Sequence, residues 1–472
     1  MSNEHSKDAF LSKRYKRWLV FMLLLVSIFS FADRAILAVL AQPIKEDLHL
    51  TDTDLGILQG LGFAILYSVL GVPLGWLAER TSRTRLIAIC VGAWSIMTAV
   101  CGLATGFTSL LLGRIGVGIG EAGAQPSTGS LVADHFKPDR RASIMAIVTL
   151  GSPLGFLLGQ SLGGWVASEW DWRVAFFALG FPGLLVALLV AFTLKEPPRG
   201  LADGKMSTEP APSLMTVIRY LLSKRTYLHL LAGTTIAGLT FNAVANFVLP
   251  FYLRSFDVSI AVVGAVFGVV SLTSNGLGML VGGFGFDWLS RNDARWSLWG
   301  PGIALVLCIP LYFGAFASSN FTTSLAFIWC ANFVLITYFA PTAGTMQNLV
   351  GPRMRATSSA LGAVVVGIFG AGLGPTILGI ASDFFATRAF GGDNFIASCP
   401  GGRGPAGGAA SLDAACQAAS TQGLRYALLS MLIVFLWGAV HYFLAARTLR
   451  RDLYSAQDTE TSPIAESLAP SA

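Results

Sequence analysis

The sequence predicts an all-α membrane protein whose twelve transmembrane helices form two six-helix bundles. Its 472 residues are 54% hydrophobic and only 12% charged, and the charged fraction is about half the roughly 25% usual in soluble domains. The charged residues stand in short clusters between long apolar runs, a pattern typical of membrane topology signals. This placement argues against nucleic-acid binding despite the net charge of +6. Motifs that recur at matching positions in the two halves predict that the bundles are related.

Twelve apolar runs follow a polar and basic cytoplasmic N-terminal segment, 1–17, and each run is long enough, at about 20 residues, to cross a bilayer. The runs extend over about 18–40, 54–77, 86–106, 108–132, 142–167, 172–194, 226–253, 259–286, 296–317, 320–345, 356–384 and 423–446. The first run is not predicted to be a cleavable signal peptide, because it is too long and contains Asp33 and Arg34.

The distribution of Lys and Arg predicts that both termini are cytoplasmic, because most basic clusters fall on the side of the termini. The longest internal stretch on that side, 195–225, is rich in Pro and Gly and is predicted to be a linker. We therefore expect an N-terminal bundle over 18–194, a C-terminal bundle over 226–446 and a cytoplasmic tail over 447–472.

A Gly- and Ala-rich segment over 385–422 is expected to be a mobile periplasmic loop. It contains Cys399 and Cys416, for which a disulfide and two free thiols are equally compatible with the sequence. The other cysteines lie in apolar runs and are expected to pack there, and no metal-binding spacing occurs.

An internal repeat supports the division into two halves. Two triplets with the same spacing close the second and the eighth runs: Gly75, Glu79 and Arg83, then Gly283, Asp287 and Arg291. In the fifth run a glycine recurs at every fourth position, at Gly151, Gly155, Gly159 and Gly163. Small residues at this spacing let a neighbouring helix approach closely.

Several short motifs, almost all in the first half, carry a family resemblance. These motifs are Asp33-Arg34, Gly75-Trp76-Leu77-Ala78-Glu79-Arg80-Thr81-Ser82-Arg83, Gly118-Ile119-Gly120-Glu121-Ala122, Gly151-Ser152-Pro153-Leu154-Gly155, Asp171-Trp172-Arg173 and Glu196-Pro197-Pro198-Arg199-Gly200. Together they resemble the spinster-like branch of the major facilitator superfamily, with Glu79 where Asp is usual. The resemblance implies the major facilitator fold with pseudo-symmetric bundles, and a transporter of sphingoid phosphates or lysophospholipids.

Charged residues inside the membrane mark the predicted functional centre. Arg114 and Glu121 lie in the glycine-rich fourth run, and Asp33 and Arg34 lie in the first. Each such charge costs about 2.5–3.5 kcal/mol at the centre of a membrane helix, so it is usually functional. A rise of 1.5 Å per residue places Asp33 and Arg114 at a similar depth and Glu121 near the midplane. We predict that Asp33, Glu121 and Arg114 couple transport to protons; a static, fully paired network is the alternative.

Substrate contacts are expected from the same cluster. Arg34, Arg114 and Glu121 are predicted to bind substrate, with Arg34 suited to an anionic head. The second half has no charged residue in 296–352 or 356–382, and its polar candidates are Asn242, Asn246 and Asn275. Helix capping or hydrogen bonding between helices explains each asparagine equally well.

A conformational latch is predicted on the cytoplasmic face. Its proposed members are Glu79, Arg80 and Arg83, their counterparts Asp287 and Arg291, and Arg355 as the partner. A carboxylate at this position can meet the positive N-terminus of a neighbouring helix. Topology-setting charge is the alternative for the arginines.

No nucleophile–base motif, phosphate loop or metal spacing appears, so neither an enzyme nor a cofactor is expected. We predict a proton-coupled secondary transporter of an amphiphilic, lipid-like anion that works by alternating access, as a monomer in the bacterial inner membrane. Its expected partners are the substrate, protons and membrane lipids, and no nucleic acid. The alternatives are a transporter of a non-lipid organic anion or drug, and an uncoupled lipid scramblase or sensor.

Overall fold

The computed structural model describes residues 12–198, 213–351, 354–391, 395–405 and 407–454. These residues are predominantly helical and contain no β-strand, which confirms the all-α prediction. Eleven helices within this part of the chain are long and apolar enough to cross a membrane. The fourth predicted run adds a crossing that is divided into two shorter helices.

The helices are numbered one to twelve after the apolar runs. In the first half they are Lys13–Asp47, Asp52–Gln59 with Leu61–Arg80, Arg83–Cys101, Phe107–Glu121 with Ala124–His135, Pro138–Thr149 with Gly151–Glu169, and Trp172–Thr193. Part of the predicted linker forms a further helix, Leu214–Ser223. Residues 199–212 of that linker, the start of the N-terminal segment and the tail beyond 454 lie outside the described residues.

In the second half, helices seven to twelve are Arg225–Ser255, Ile260–Val270 with Gly276–Ser290, Trp296–Ala317, Phe321–Ile336 with Phe339–Asn348, Arg355–Val365 with Leu373–Phe390, and Ala410–Asp452. One π-helical turn, Ser271–Asn275, interrupts helix eight, and another, Val366–Gly372, interrupts helix eleven.

Helix four differs from the single helix that the sequence predicts. Its first segment ends at Glu121, and the second begins at Ala124. Five glycines between 113 and 123 weaken the helix here, since each glycine costs about 1 kcal/mol relative to alanine in a helix interior. The break places Glu121 at the end of a segment rather than in mid-helix.

The expectation of a loop over 385–422 is wrong for most of that segment. Helix eleven continues to Phe390, and helix twelve begins at Ala410 because residues 410–422 are rich in alanine, a strong helix former. A disulfide between the buried residues Cys399 and Cys416, with an S–S distance of 2.01 Å, ties the connecting segment to helix twelve. The sequence left this bond open.

The chain packs as two compact units that do not follow the predicted linker. The first unit comprises the described residues within Met1–Ser207, Phe241–Thr273 and Ala371–Leu428, and the second those within Thr208–Thr240, Ser274–Gly370 and Leu429–Ala472. The first unit therefore includes one end of helices seven, eight, eleven and twelve. We call this the outer end, because the sequence predicts it to be extracytoplasmic.

Small residues explain how these outer ends join the first unit. A Cβ atom built on Gly264 of helix eight would lie 2.3 Å from the backbone oxygen of Gln160 in helix five. One built on Gly56 of helix two would lie 2.4 Å from the Pro375 oxygen of helix eleven. Glycine is needed at both contacts because backbones approach too closely for any side chain.

The second unit is held by polar contacts of buried tyrosines. The Tyr312 hydroxyl donates to Asn332 Oδ1 at 2.5 Å, and the hydroxyls of Tyr442 and Thr342 share a hydrogen bond of 2.9 Å. Asn332 thus has a structural partner within this unit.

The glycine seam of helix five packs on helix one, as its spacing predicts. A Cβ atom built on Gly151 would lie 2.4 Å from Ser27, and one on Gly155 would lie 2.5 Å from Ile28. A Cβ atom on Gly159 would lie 2.4 Å from Ala32, and one on Gly163 would lie 2.8 Å from Ile36. Helix five therefore fixes the helix that carries Asp33 and Arg34.

Gly159→Ala is expected to lower the melting temperature of the detergent-solubilised protein by several degrees. The added methyl group would collide with the Ala32 backbone oxygen, and overpacking costs about 1–3 kcal/mol. Gly129→Ala is the matched control, because nothing lies within 4 Å of its built Cβ. Equal melting temperatures for both variants, measured by size-exclusion chromatography after heating, would contradict the close approach.

Candidate functional site

Asp33 and Arg114 form a buried ion pair in the first unit. Arg114 Nη1 lies 3.0 Å from Asp33 Oδ2, and the Thr98 hydroxyl donates to Asp33 Oδ1. Both charged residues are only 1–2% exposed. Two opposite charges with an added hydrogen bond offset part of the desolvation cost of burial. The two residues are level and in contact, as the depth estimate predicts.

Glu121 pairs with Arg34, a contact that the sequence analysis did not predict. Arg34 Nη2 and Nε donate to Glu121 Oε2 at 2.5 and 2.8 Å, and the Ser30 hydroxyl donates to the same oxygen at 2.9 Å. Glu121 Oε1 is buried and has no hydrogen-bond partner among the described residues. The Glu121 side chain is 1% exposed, whereas 25% of the Arg34 side chain is exposed. Arg34 is therefore the member of the cluster that a solute can reach.

Aromatic rings contact both guanidinium groups, three of them at Arg34 and one at Arg114. The Phe63 ring centroid lies 4.8 Å from Arg34 Cζ and 5.5 Å from Arg114 Cζ, so one ring contacts both cations. Tyr67 and Phe31 lie 4.7 and 5.2 Å from Arg34 Cζ. Cation–π attraction of about 0.5–2 kcal/mol per ring helps to hold the Arg34 side chain in place.

The glycines of helix four set the position of this cluster. Cβ atoms built on Gly113, Gly116 and Gly120 would lie 2.5–2.7 Å from atoms of helix three, and one on Gly118 would lie 2.8 Å from the Phe63 oxygen of helix two. Helix four is therefore wedged between helices two and three. Arg114 and Glu121, seven positions apart, lie on its remaining face and meet helix one.

The asparagines predicted to bind substrate have mixed surroundings. Asn246 Nδ2 donates to the Asn242 backbone oxygen one turn earlier, at 2.8 Å. This bond lies within helix seven, so it is neither the helix cap nor the bond between helices that the sequence left open. Asn275 lies in the π-helical turn of helix eight, and its Oδ1 is buried without a hydrogen-bond partner in the described part of the chain. A substrate role for the three residues stays a prediction.

Arg83 is the one predicted latch residue that is buried. It contacts the Asp134 carboxylate, and its Nε lies 2.7 Å from Glu196 Oε1. Arg83 Nη1 also donates to Ser130 Oγ at 2.8 Å. Arg83 therefore connects the start of helix three, the end of helix four and the segment after helix six, all within the first half of the chain. Asp134 was missed because an acid at a helix end looks like a solvated residue.

The other predicted latch residues are exposed: Glu79, Arg80, Asp287, Arg291 and Arg355. Arg80 Cζ stacks 4.0 Å from the Trp76 ring centroid. Just after the C-terminal end of helix eight, the Asp293 carboxylate forms ion pairs with Arg295 at 2.8 Å and with Arg450 at 3.1 Å. Hydrogen bonds from Arg295 hold the pKa of Asp293 well below its ordinary value. A latch function stays a prediction.

A buried ionic cluster at the outer end of the first unit was missed by the sequence analysis. It consists of Lys45, Asp52, Arg254 and Asp383, and we call it the outer ionic cluster. Asp52 accepts from Lys45 Nζ at 2.7 Å and from two nitrogens of Arg254 at 2.6 and 2.8 Å. Asp383 accepts from the backbone nitrogens of Asp52 and Thr53 at 3.1 and 2.8 Å. Residues of helices one, two, seven and eleven are thus joined.

One feature of the sequence could have indicated the outer ionic cluster. Asp383 is the acid that ends a charge-free stretch, 356–382, inside a membrane run, and such an acid needs a partner. Lys45 and Arg254 look like sparse topology charges in the sequence, because their partners lie far away along the chain.

Comparison with known proteins identifies the architecture. The model of the Major Facilitator Superfamily matches residues 23–375. An MFS-type efflux pump of Mycolicibacterium smegmatis is 31% identical over 366 residues, 77% of this chain and 83% of the pump. The hexuronate transporter of Bacillus subtilis is 27% identical over 300 residues, 61% of this chain and 69% of that protein.

A solved structure extends the likeness to the whole fold. It is a bacterial homologue of the human lysosomal transporter Spinster, in an inward-facing and unoccupied conformation. It is 31% identical, has a TM-score of 0.85, and the match covers 94% of this chain and all of that one. The predicted fold of twelve helices in two related halves is confirmed.

Arg83→Gln is expected to destabilise the protein far more than Arg80→Gln. The first substitution leaves Asp134 and Glu196 without their shared cation, and removal of one partner from a buried ion pair costs about 3–5 kcal/mol. The second removes an exposed charge with a single ring contact. The measurement is thermal stability in detergent, and similar losses for both variants would contradict a structural role for Arg83.

Proposed function

The chain belongs to the Major Facilitator Superfamily, in its spinster-like branch, and we propose that it couples protons to the movement of an amphiphilic, lipid-like anion. As a member of this family it is a multi-pass membrane transporter and not an enzyme. The proposal concerns the substrate class, the coupling ion and the alternating-access mechanism.

The pairing of Glu121 with Arg34 is the observation that carries the proposal. Glu121 is buried, and one of its oxygens has no hydrogen-bond partner among the residues that the structure describes, so that oxygen can accept a proton. Charge-assisted hydrogen bonds are roughly twice as strong as neutral ones. A proton on Glu121 therefore weakens its hold on Arg34, whose guanidinium then becomes available to an anion.

The same logic links substrate and proton in the reverse direction. An anion that binds Arg34 competes with Glu121 and favours its protonation, because coupling between two ligands is reciprocal. Asp33 and Arg114 form a second, more enclosed pair on the same helices. We propose that this pair opens at another stage of the cycle and that Asp33 then takes part in proton transfer.

The surroundings of Arg34 favour an amphiphile. Its guanidinium is held among Phe31, Phe63 and Tyr67, so an anionic head bound there would lie beside apolar rings. Arg34 would bind the head first, Arg114 would join it once its pair with Asp33 opens, and Glu121 would release the head.

There are two alternatives to the proposed function. The similarity to a hexuronate transporter favours a small, non-lipid organic anion as the second candidate substrate. An uncoupled scramblase or sensor is the candidate from another class, and the buried, titratable Glu121 argues against it, because uncoupled movement needs no such group.

The disulfide supports the proposed orientation. Cys399 and Cys416 are bonded, and disulfides persist in oxidising compartments such as the periplasm. The outer end then faces the periplasm of a bacterial inner membrane and both termini face the cytoplasm. We propose that the transporter acts as a monomer.

Glu121→Gln and Asp33→Asn are expected to abolish substrate accumulation driven by a pH gradient in proteoliposomes, because neither amide can exchange a proton. Asp257→Asn, which neutralises an exposed carboxylate between helices seven and eight, should transport like the wild type. The readout is uptake of lysophosphatidylglycerol with and without a protonophore.

Each result separates the candidate functions. Accumulation that the protonophore collapses, and that both buried variants lose, supports the proposal. Equilibration of the lipid without any gradient would identify a scramblase. Unchanged accumulation in both buried variants would overturn proton coupling through this cluster.

Arg34→Gln is expected to weaken binding of the transported anion about tenfold or more, whereas Arg34→Lys should keep part of the affinity because it keeps the charge. The measurement is a thermal-shift titration with lysophosphatidylglycerol, sphingosine phosphate and glucuronate in parallel. A response to glucuronate alone would favour the small-anion alternative. Equal affinities of Arg34→Gln and wild type would remove Arg34 from the binding site.

A further inference from the structure

A polar pocket lies at the outer ends of helices seven and twelve, within the first unit. Its volume is about 420 Å³, and its polar lining consists of Arg254, Gln417, Thr421, Gln422, Arg425 and Tyr426. Two of these residues are cations, and the lining contributed by the described residues includes no carboxylate. The lining therefore favours an anion over a cation or a neutral solute.

Arg425 has hydrogen-bonding capacity that the protein does not use. Its Nε is buried and has no hydrogen-bond partner among the described residues. Its Cζ lies 5.8 Å from the Phe251 ring centroid, so an aromatic face backs the guanidinium. A buried donor without a partner costs about 1–3 kcal/mol. A ligand oxygen at this position would remove that cost.

Arg254 is the second cation of the pocket and belongs to the outer ionic cluster. Its three nitrogens already donate to Gln42, Asp52 and Ser420. An anion in the pocket would therefore compete with Asp52 for Arg254. Occupancy would weaken the contacts by which Arg254 holds helix two.

The wall of the pocket leads to an apolar surface. Tyr426 is 45% exposed, and its ring lies 6.1 Å from that of Phe385 on helix eleven. The exposed side chains of Phe384 and Ile380 continue along the same helix. In a membrane protein such a surface contacts acyl chains, so a ligand in the pocket has an apolar path for its tail.

We propose that this pocket binds a phosphate-type anion, with Arg425 as its receptor and with Asp52 as its competitor for Arg254. Bidentate contact between a guanidinium and phosphate oxygens is a common recognition geometry. The anion comes either from the head group of a lipid or from free phosphate. Neither Arg34 nor Glu121 lines this pocket, so the proposed anion site can be tested independently of the transport mechanism.

A fluorophore attached beside the pocket tests this directly. Gln422 is exposed at its rim, and Gln422→Cys can be labelled with bimane in a Cys330→Ser background, since the remaining free cysteines are buried and Cys399 is bonded to Cys416. The labelled full-length protein in nanodiscs is titrated with lysophosphatidylglycerol, with lysophosphatidylcholine and with inorganic phosphate.

A saturable response to lysophosphatidylglycerol that is at least tenfold weaker in Arg425→Gln is expected. Arg388→Gln is the control, because it removes another outer-end cation, one that stacks on Phe384 and does not line the pocket, and its affinity should stay unchanged. Competition by inorganic phosphate would identify the free anion as a sufficient ligand, and its failure to compete would identify the lipid head group; both support the site.

Asp52→Asn should tighten binding several-fold, because it releases Arg254 from its carboxylate partner. Three results would overturn the proposal: no saturable response, equal weakening by Arg425→Gln and Arg388→Gln, or equal binding of zwitterionic lysophosphatidylcholine. Unchanged affinity in Asp52→Asn would overturn the competition for Arg254.

Discussion

Placing an ionised side chain in the apolar interior of a membrane protein is the constraint on which this structure depends. Such a charge is costly unless an opposite charge and hydrogen bonds accompany it. Asp33 meets Arg114 and Glu121 meets Arg34, and each carboxylate also accepts from a hydroxyl. The two pairs are unequal, because one Glu121 oxygen has no hydrogen-bond partner within the described part of the chain and the Arg34 side chain is partly exposed. That inequality makes the Glu121 pair the better candidate for a site that opens and closes.

Glycine makes these pairings geometrically feasible. Gly113, Gly116 and Gly120 bring helix four against helix three, while the seam at 151–163 brings helix five against helix one. Helix three therefore supports helix four and helix five supports helix one, and the charged faces of helices one and four contact each other. A longer distance between the backbones would leave Asp33 and Glu121 short of their partners. The two buried ion pairs therefore depend on the close packing of the helices.

Local patterns in the sequence were enough to predict the helices, the close approach of the glycine-rich segments and the level of Asp33 with Arg114. They were insufficient for contacts between residues that are distant along the chain. Arg34 and Glu121 are 87 positions apart, and Asp52 and Asp383 are 331 positions apart. Periodicity reports which face a residue occupies but not which helix it meets. The helical start of 410–422 was missed for a different reason, since its small residues also suit a loop.

The central claim is that Glu121 changes its protonation state in place. Infrared difference spectroscopy of the purified protein between high and low pH measures this directly through the carboxyl C=O stretch. The account predicts a protonated-carboxyl band in the wild type that is absent in Glu121→Gln, that persists in Asp257→Asn and that grows when an anionic ligand occupies Arg34. A spectrum without any band that depends on Glu121, at every pH at which the protein transports, would contradict it.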